Sequence, residues 1–203
     1  MVDPVLITSA TSIGGLLVDA GLRKLFACYL VHRKRDKAVV HVDVASTAAL
    51  CAALHDPAGR VTVVDLEAET MSSLWPDTRH DLAALEDAGS YTQRDRLLTI
   101  YAKQYVQTLK RTYGKKAVFI FVCRSHALAT AACGVPAWDV TTLLPTPPAT
   151  EALRLGMPDK ARVRYDADRT EAVRLSRALM VVYSSTEELK QALVAKYKMV
   201  LKM

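Results

Sequence analysis

Short apolar runs alternate with amphipathic segments along this chain, and that alternation limits the fold more than any other feature of the sequence. The apolar runs are β-branched or aliphatic, as in buried strands, and they lie at 5–8, 38–44, 61–65, 117–123 and 178–183. The segments between them show helical spacing. Strands that alternate with helices form a mainly parallel sheet with helices on both faces. The sequence therefore predicts an α/β fold, a three-layer αβα sandwich of about five strands with P-loop or Rossmann-like topology.

The 203 residues are expected to form one domain, 1–203, because a domain typically takes about 150 residues. Several prolines punctuate the stretch 135–148, and proline disrupts both helices and central strands. We expect this stretch to be a loop insertion. Trp138, Leu143 and Leu144 would then form an exposed arm that contacts a partner, or one that folds back onto its own domain.

A second pattern lies at 162–166, where charged and apolar residues alternate. This alternation places Val163 and Tyr165 on one face and the charged side chains on the other, as period two does in a strand.

The turn after the first predicted strand is rich in hydroxyl groups, and a helix follows it. Backbone N–H groups at a helix N-terminus can bind an anion. The turn resembles the phosphate-binding loop of P-loop nucleotide kinases in degenerate form. Its lysine position holds Gly15, and Leu16 replaces the Ser or Thr that binds magnesium. The candidate phosphate-binding residues are Thr8, Ser9, Thr11, Ser12, Gly14 and Gly15.

The same turn looks like the dinucleotide-binding turn of short-chain dehydrogenases, with Ser9 and Ile13 in place of glycines. Those enzymes use a Tyr-x-x-x-Lys pair, and no tyrosine of this chain has a lysine four residues later. The alternative for the turn is a purely structural link between strand and helix.

Acidic residues follow the strand at 61–65. Period two would place Asp65, Glu67 and Glu69 on one side, and carboxylates are preferred ligands of magnesium. Asp65 and Glu67 are therefore candidate metal ligands. The alternative is a solvated acidic loop or the start of a helix. Because each motif lacks an essential group, we expect no bound cofactor.

The net charge is +6, with the positive charge concentrated in the C-terminal half and an acidic stretch at 61–100. Such asymmetry favours a charge-complementary protein or a polyanion, or it is only a solvated surface. Aromatic residues make up only 6% of the chain, which gives little support to nucleic-acid binding. The basic residues proposed for an interface are Lys110, Arg111, Lys115 and Lys116.

The four cysteines form no Cys-x-x-Cys pair and lie in apolar stretches, which is typical of reduced, buried thiols. No run reaches the ~18 apolar residues of a membrane span, and the first residues make a poor signal peptide. We expect a cytoplasmic or nuclear protein, or one within an intracellular assembly, with no membrane partner.

Two functions fit these observations. The sequence favours a non-catalytic structural or scaffold subunit of a larger protein assembly, built on a nucleotide-binding type of fold whose site motifs are degenerate. Its partners would be other protein subunits, with nucleic acid as another candidate. The alternative is a nucleotide-binding enzyme, such as a small kinase or transferase, with an atypical phosphate loop at residues 8–15.

Overall fold

The computed structural model describes residues 36–43, 47–56, 59, 61–114, 117–176 and 180–201, with side chains except at 138 and 194–201. The predicted first strand at 5–8 and the hydroxyl-rich turn at 8–15 lie outside the described residues, so both stay predictions.

The described part of the chain contains a five-stranded parallel sheet, which confirms the predicted fold class. The order of the strands across the sheet is β2-β3-β1-β4-β5. Their bounds are Asp36–His41 for β1, Val61–Asp65 for β2, Val118–Cys123 for β3, Val140–Pro145 for β4 and Met180–Tyr183 for β5. β1 therefore lies in the centre, with β3 on one side and β4 on the other.

Helices connect the strands, as crossover connections between parallel strands require. They are α1 (Thr47–Leu54), α2 (Leu66–Ser73), α3 (Pro76–Asp87), α4 (Tyr91–Tyr113), α5 (His126–Cys133), α6 (Pro147–Leu155), α7 (Asp159–Leu175) and α8 (Thr186–Leu201). Ser125 caps α5, since its Oγ accepts the N–H of Leu128. Across the described residues, no helix has the length and apolar content needed to cross a bilayer.

Each face of the sheet carries its own apolar core, because successive strand residues point to opposite faces. Val40 packs on the face covered by α3, α4, α5 and α7, with Leu98 and Tyr165 among its buried neighbours in that core. Val39 packs on the opposite face, with Leu50 of α1 and other side chains from α1 and α8. The molecule thus has the three layers that the sequence predicts.

The prediction of a loop insertion at 135–148 is wrong. This stretch contains a 3-10 helix, Ala137–Asp139, followed directly by β4. The prolines lie where regular structure tolerates them: Pro145 ends β4, and Pro147 stands in the first turn of α6.

The expectation of an exposed arm is therefore wrong for the two leucines. Leu143 is completely buried on the α1–α8 face of the sheet, and Leu144 is buried on the other. The side chain of Trp138 is not among those described.

Leu143 gives a direct test of this placement. Replacing Leu143 with Ala removes a side chain that is 0% exposed, so the free energy of unfolding should fall by about 2–5 kcal/mol. Leu155→Ala is the matched control, because Leu155 is 77% exposed at the end of α6. Chemical denaturation measures both. Equal stability losses in the two variants would contradict a buried β4.

Candidate functional site

The carboxyl ends of the strands form the edge of the sheet where a ligand would bind. β1 connects through α1 on one face, whereas β3 and its neighbour β4 lead to helices that include α5 and α7 on the other. Adjacent strands whose connections leave to opposite faces open a crevice at their carboxyl ends. The connection that follows β1 leaves to the opposite face from those that follow both of its neighbours, β3 and β4. The crevice therefore lies above β1.

Two cavities on the β2–β3 side of the crevice share Arg124, which follows β3. The first, of about 160 Å³, is lined by Thr47, Asp65, Glu67, Ala68, Cys123 and Arg124. The second, of about 250 Å³, is lined by Glu86, Asp87, Tyr91, Arg124, Pro158, Lys160, Ala161 and Arg164. The guanidinium of Arg124 therefore faces both spaces. Its Nε is buried without a hydrogen-bond partner.

A third cavity lies over β4 and β5, on the other side of β1. It measures about 360 Å³ and is lined by Asp43, Pro145, Ala149, Ala152, Leu153, Tyr183, Ser184, Ser185 and Thr186. Asp43 is the one charged residue among those that line it.

A network of ion pairs joins the helices around the second cavity. Arg164 of α7 binds Asp95 of α4 (Nη2–Oδ2 2.7 Å) and Asp168 of its own helix (Nε–Oδ2 3.0 Å). The guanidinium also lies over the ring of Tyr91, with Cζ 4.8 Å from the ring centroid. Arg124 reaches Asp168 from β3 at 3.7 Å. Asp168 thus binds two arginines, and Arg164 links α7 to α4.

Arg94 of α4 extends this network toward the first cavity. Its guanidinium contacts Glu86 (3.2 Å), Asp95 (3.1 Å) and Glu67 (3.8 Å). Arg94 is itself buried, and a buried guanidinium is stable only when carboxylates compensate its charge. Helices α2, α3, α4 and α7 are therefore held together by alternating charges at the crevice.

Burial dominates the proton affinities of the acids in this network. Desolvation raises the pKa of Glu67, although the charges of Arg124 and Arg94 act in the opposite direction. Desolvation also raises the pKa of Asp168, against the effect of Arg164 and Arg124. For both acids, burial therefore outweighs the neighbouring arginines in setting the pKa.

A buried polar cluster links β1 to β5 across β4. His41 Nδ1 donates to the carbonyl of Asp43 at 3.0 Å, and the Tyr183 hydroxyl lies 3.2 Å from His41 Nε2. That hydroxyl also donates to Asp43 Oδ2 at 3.2 Å. Burial lowers the pKa of His41 and raises that of Tyr183. The three groups contact one another within the core and link β1 to β5.

His126 and Cys123 near the crevice are also buried, as is Cys133 at the other end of α5. His126 Nε2 bonds the Thr142 hydroxyl at 2.9 Å, and burial lowers its pKa. Burial raises the pKa of Cys123 well above its usual range and that of Cys133 to about 12. Thiols in this state are poor nucleophiles.

The structure brings the two predicted metal ligands, Asp65 and Glu67, to the wall of one cavity. The prediction that Glu69 lies on the same side as Asp65 and Glu67 in an extended segment is wrong, because residues 66–73 form α2. Asp65 caps that helix, since its Oδ1 accepts the N–H of Ala68 at 3.1 Å. Among the described residues, no three His, Cys, Asp or Glu side chains group as metal ligands would.

The predicted basic interface is not brought together as one surface by the described residues. Lys110 pairs with Asp36 at 2.6 Å, donates to the carbonyl of Cys133 and lies over the ring of Phe121. Arg111 is exposed on α4. Lys115 and Lys116 lie outside the described residues.

The sequence analysis included Arg164 only among the alternating charges at 162–166, and it missed Arg94 and Asp95. These two are adjacent on α4, where a pair of opposite charges is typical of a solvated helix face. The signal that could have located them is Arg124, because a cation at the end of a parallel strand needs acids nearby.

No protein-family model matches this chain, and no curated protein is similar to it at a significant level.

The raised pKa of Glu67 predicts how stability depends on pH. The pKa of Glu67 in the folded state lies above the ordinary 4.5, so protonation of Glu67 stabilises the folded state. That stabilisation is complete below pH 4.5 and is lost as pH rises through the folded pKa. The side chain of Glu67→Gln is neutral at every pH, so this variant does not lose that stabilisation. The melting temperature of Glu67→Gln minus that of the wild type should therefore be more positive at pH 8 than at pH 5.

Thermal unfolding across this pH interval measures the difference. Glu69→Gln on the same helix is the control, because Glu69 is exposed. A Glu67→Gln difference that becomes more negative with rising pH would show that the ion pair with Arg94 outweighs burial.

Proposed function

We propose that this chain is a non-catalytic structural or scaffold subunit of a larger protein assembly, built on a nucleotide-binding type of α/β fold. The observation that carries the proposal is the ion-pair network of Arg94, Arg124 and Arg164 at the carboxyl edge of the sheet. Arginines that would bind a phosphate ligand here are engaged by carboxylates of the same chain.

The turn after the central strand supports the same function. Residues 42–46 contain neither glycine nor lysine, so this turn has no residue suited to close phosphate contact and no cation. Instead Asp43 follows β1, where its carboxylate is buried against Tyr183. A negative charge at this position opposes the binding of a polyphosphate.

Four groups near or within the sheet that could act as nucleophile or base are poorly suited to do so. Cys123, Cys133, His41 and His126 are all buried, and their pKa shifts disfavour the charged forms. A general base needs access to its substrate, and a thiol nucleophile needs a lowered pKa.

Exposed apolar side chains supply surfaces for protein partners. Trp75, at the corner between α2 and α3, is 81% exposed, and Val163 of α7 is 66% exposed. Single exposed apolar residues are common, but a tryptophan this exposed is energetically favourable mainly when a partner covers it. We propose protein subunits as the partners, with nucleic acid on the basic half of the chain as the competing outcome.

A second candidate function is a nucleotide-binding enzyme, and one observation favours it. Arg124 lines two cavities and its Nε is buried without a hydrogen-bond partner, so a ligand phosphate would satisfy it. In that function the Arg124 side of the crevice would supplement or replace the phosphate loop proposed at 8–15.

Nucleotide binding separates the two functions. ATP and GTP, each with and without magnesium, should leave the melting temperature unchanged, because the crevice arginines are already paired. A ligand at 100 times its dissociation constant would instead add about 2.7 kcal/mol to the free energy of unfolding. Differential scanning fluorimetry provides the measurement.

Two variants make the result specific. Arg124→Met removes the guanidinium at both cavities, and Arg111→Met is the control on an exposed arginine of α4. Stabilisation by a nucleotide that Arg124→Met abolishes and Arg111→Met keeps would favour the second function. Magnesium-dependent hydrolysis that is lost in Asp65→Asn would rule out the scaffold function as stated.

A further inference from the structure

The third cavity differs in its chemistry from the two that Arg124 lines. It measures about 360 Å³, which is within the usual range of small-molecule sites. It lies at the carboxyl ends of β4 and β5, the edge of a parallel sheet where ligands bind. The residues that line it include no arginine, lysine or histidine, and Asp43 is the one charged residue among them. The cavity is therefore suited to a ligand other than a phosphate.

The carboxylate of Asp43 is held in place from the side of β5. Asp43 is only 5% exposed, and the hydroxyl of Tyr183 donates to its Oδ2 at 3.2 Å. The ring of Tyr183 in turn stacks on that of His41 in β1. Burial raises the pKa of Tyr183, so its hydroxyl stays protonated and remains a donor. A carboxylate fixed in this way at the wall of a cavity is pre-organised to receive a hydrogen bond from a ligand.

The N-terminus of α8 lies at the same cavity, but its own side chains already satisfy it. Ser184 and Ser185 precede the helix and line the cavity. The carboxylate of Glu188 accepts the N–H of Ser184 at 2.8 Å and the proton of its hydroxyl, and Ser185 Oγ accepts the N–H of Glu188 at 3.2 Å. Glu188 thus compensates the positive end of the helix dipole. An anionic ligand would gain little there and would be repelled by Asp43.

The wall that α6 provides is apolar. Ala149, Ala152 and Leu153 share one side of this helix because they are spaced by three and four, and Pro145 at the end of β4 lines the cavity with them. The two alanines leave room that a larger side chain would fill. Arg169 donates to the carbonyl of Pro145 at 3.2 Å and is not among the lining residues, so this wall itself carries no charge.

We propose that the third cavity binds a small organic cation, an amine whose ammonium group pairs with Asp43 and whose carbon skeleton packs on the apolar wall of α6. Hydrogen bonds between an ammonium and a carboxylate are charge-assisted and therefore strong. Hydroxyl oxygens of Ser185 and Thr186, on the other wall, can accept further ammonium protons. This site goes beyond the proposed scaffold function, and it shares no lining residue with the two cavities of Arg124.

Three probes of similar size and different charge test the class of ligand. At neutral pH phenylethylamine is cationic, phenylethanol is neutral and phenylpropionate is anionic. We expect the wild type to bind the amine at least about tenfold more tightly than the alcohol, and the carboxylate more weakly still, because only the amine makes a charge-assisted bond to Asp43. Isothermal titration calorimetry with probes at up to about 10 mM measures the dissociation constants.

Two variants locate the site. Asp43→Asn keeps an acceptor for the Tyr183 hydroxyl but removes the charge, so the preference for the amine over the alcohol should disappear. Ala152→Leu fills the apolar side of the cavity and should weaken binding of the amine about tenfold. Ala83→Leu is the matched control, because Ala83 is an exposed alanine of α3 that does not line the cavity. Should Asp43→Asn fail to fold, Ala152→Leu still tests the site, because Ala152 is exposed.

Three results would overturn the proposal. No binding of the amine at about 10 mM would mean that the cavity takes no organic cation of this size. An amine that binds no better than the alcohol, or whose advantage survives in Asp43→Asn, would show that Asp43 does not select the charge. Binding that Ala152→Leu leaves unchanged would lie elsewhere on the surface. The probes carry no phosphate and the variants leave Arg124 in place, so the proposed scaffold function is tested separately.

Discussion

The ion pair between Arg164 and Asp95 is the contact on which the rest of the structure depends most. It joins α7 to α4 across 69 residues of sequence, at an Nη2–Oδ2 distance of 2.7 Å. The same guanidinium holds Asp168, which in turn meets Arg124 at the end of β3. Removing one member would leave a partly buried charge with less compensation, and that is destabilising.

The orientation of helix α7 thereby determines which of its charged residues enter the crevice. The inner side of α7 brings charge to the crevice, where it engages the arginines of neighbouring elements. Its outer side carries Val163, Ala167 and Thr170 together with exposed charged residues such as Lys160 and Arg174. The proposed scaffold function depends on this orientation, because it requires a crevice held by internal ion pairs.

Local patterns were enough to predict β1, β2 and β3, because buried strands depend on nearby residues. They failed for β4, since proline content conceals a strand whose prolines stand at its end and after it. The alternation at 162–166 placed Val163 with Tyr165, whereas the helix exposes the first and buries the second. The candidate site needs Arg94 and Asp95 beside Arg164, and no local pattern encodes a contact between residues so far apart in the chain.

A double-mutant cycle between Arg164 and Asp95 tests most directly whether the crevice network is structural. Arg164→Met, Asp95→Asn and the double variant are compared with the wild type by urea denaturation at pH 7. A structural network predicts a coupling energy of about 1–3 kcal/mol in favour of the native pair. A coupling energy near zero would contradict it, because it would mean that Arg164 is available to a ligand instead of being held by α4.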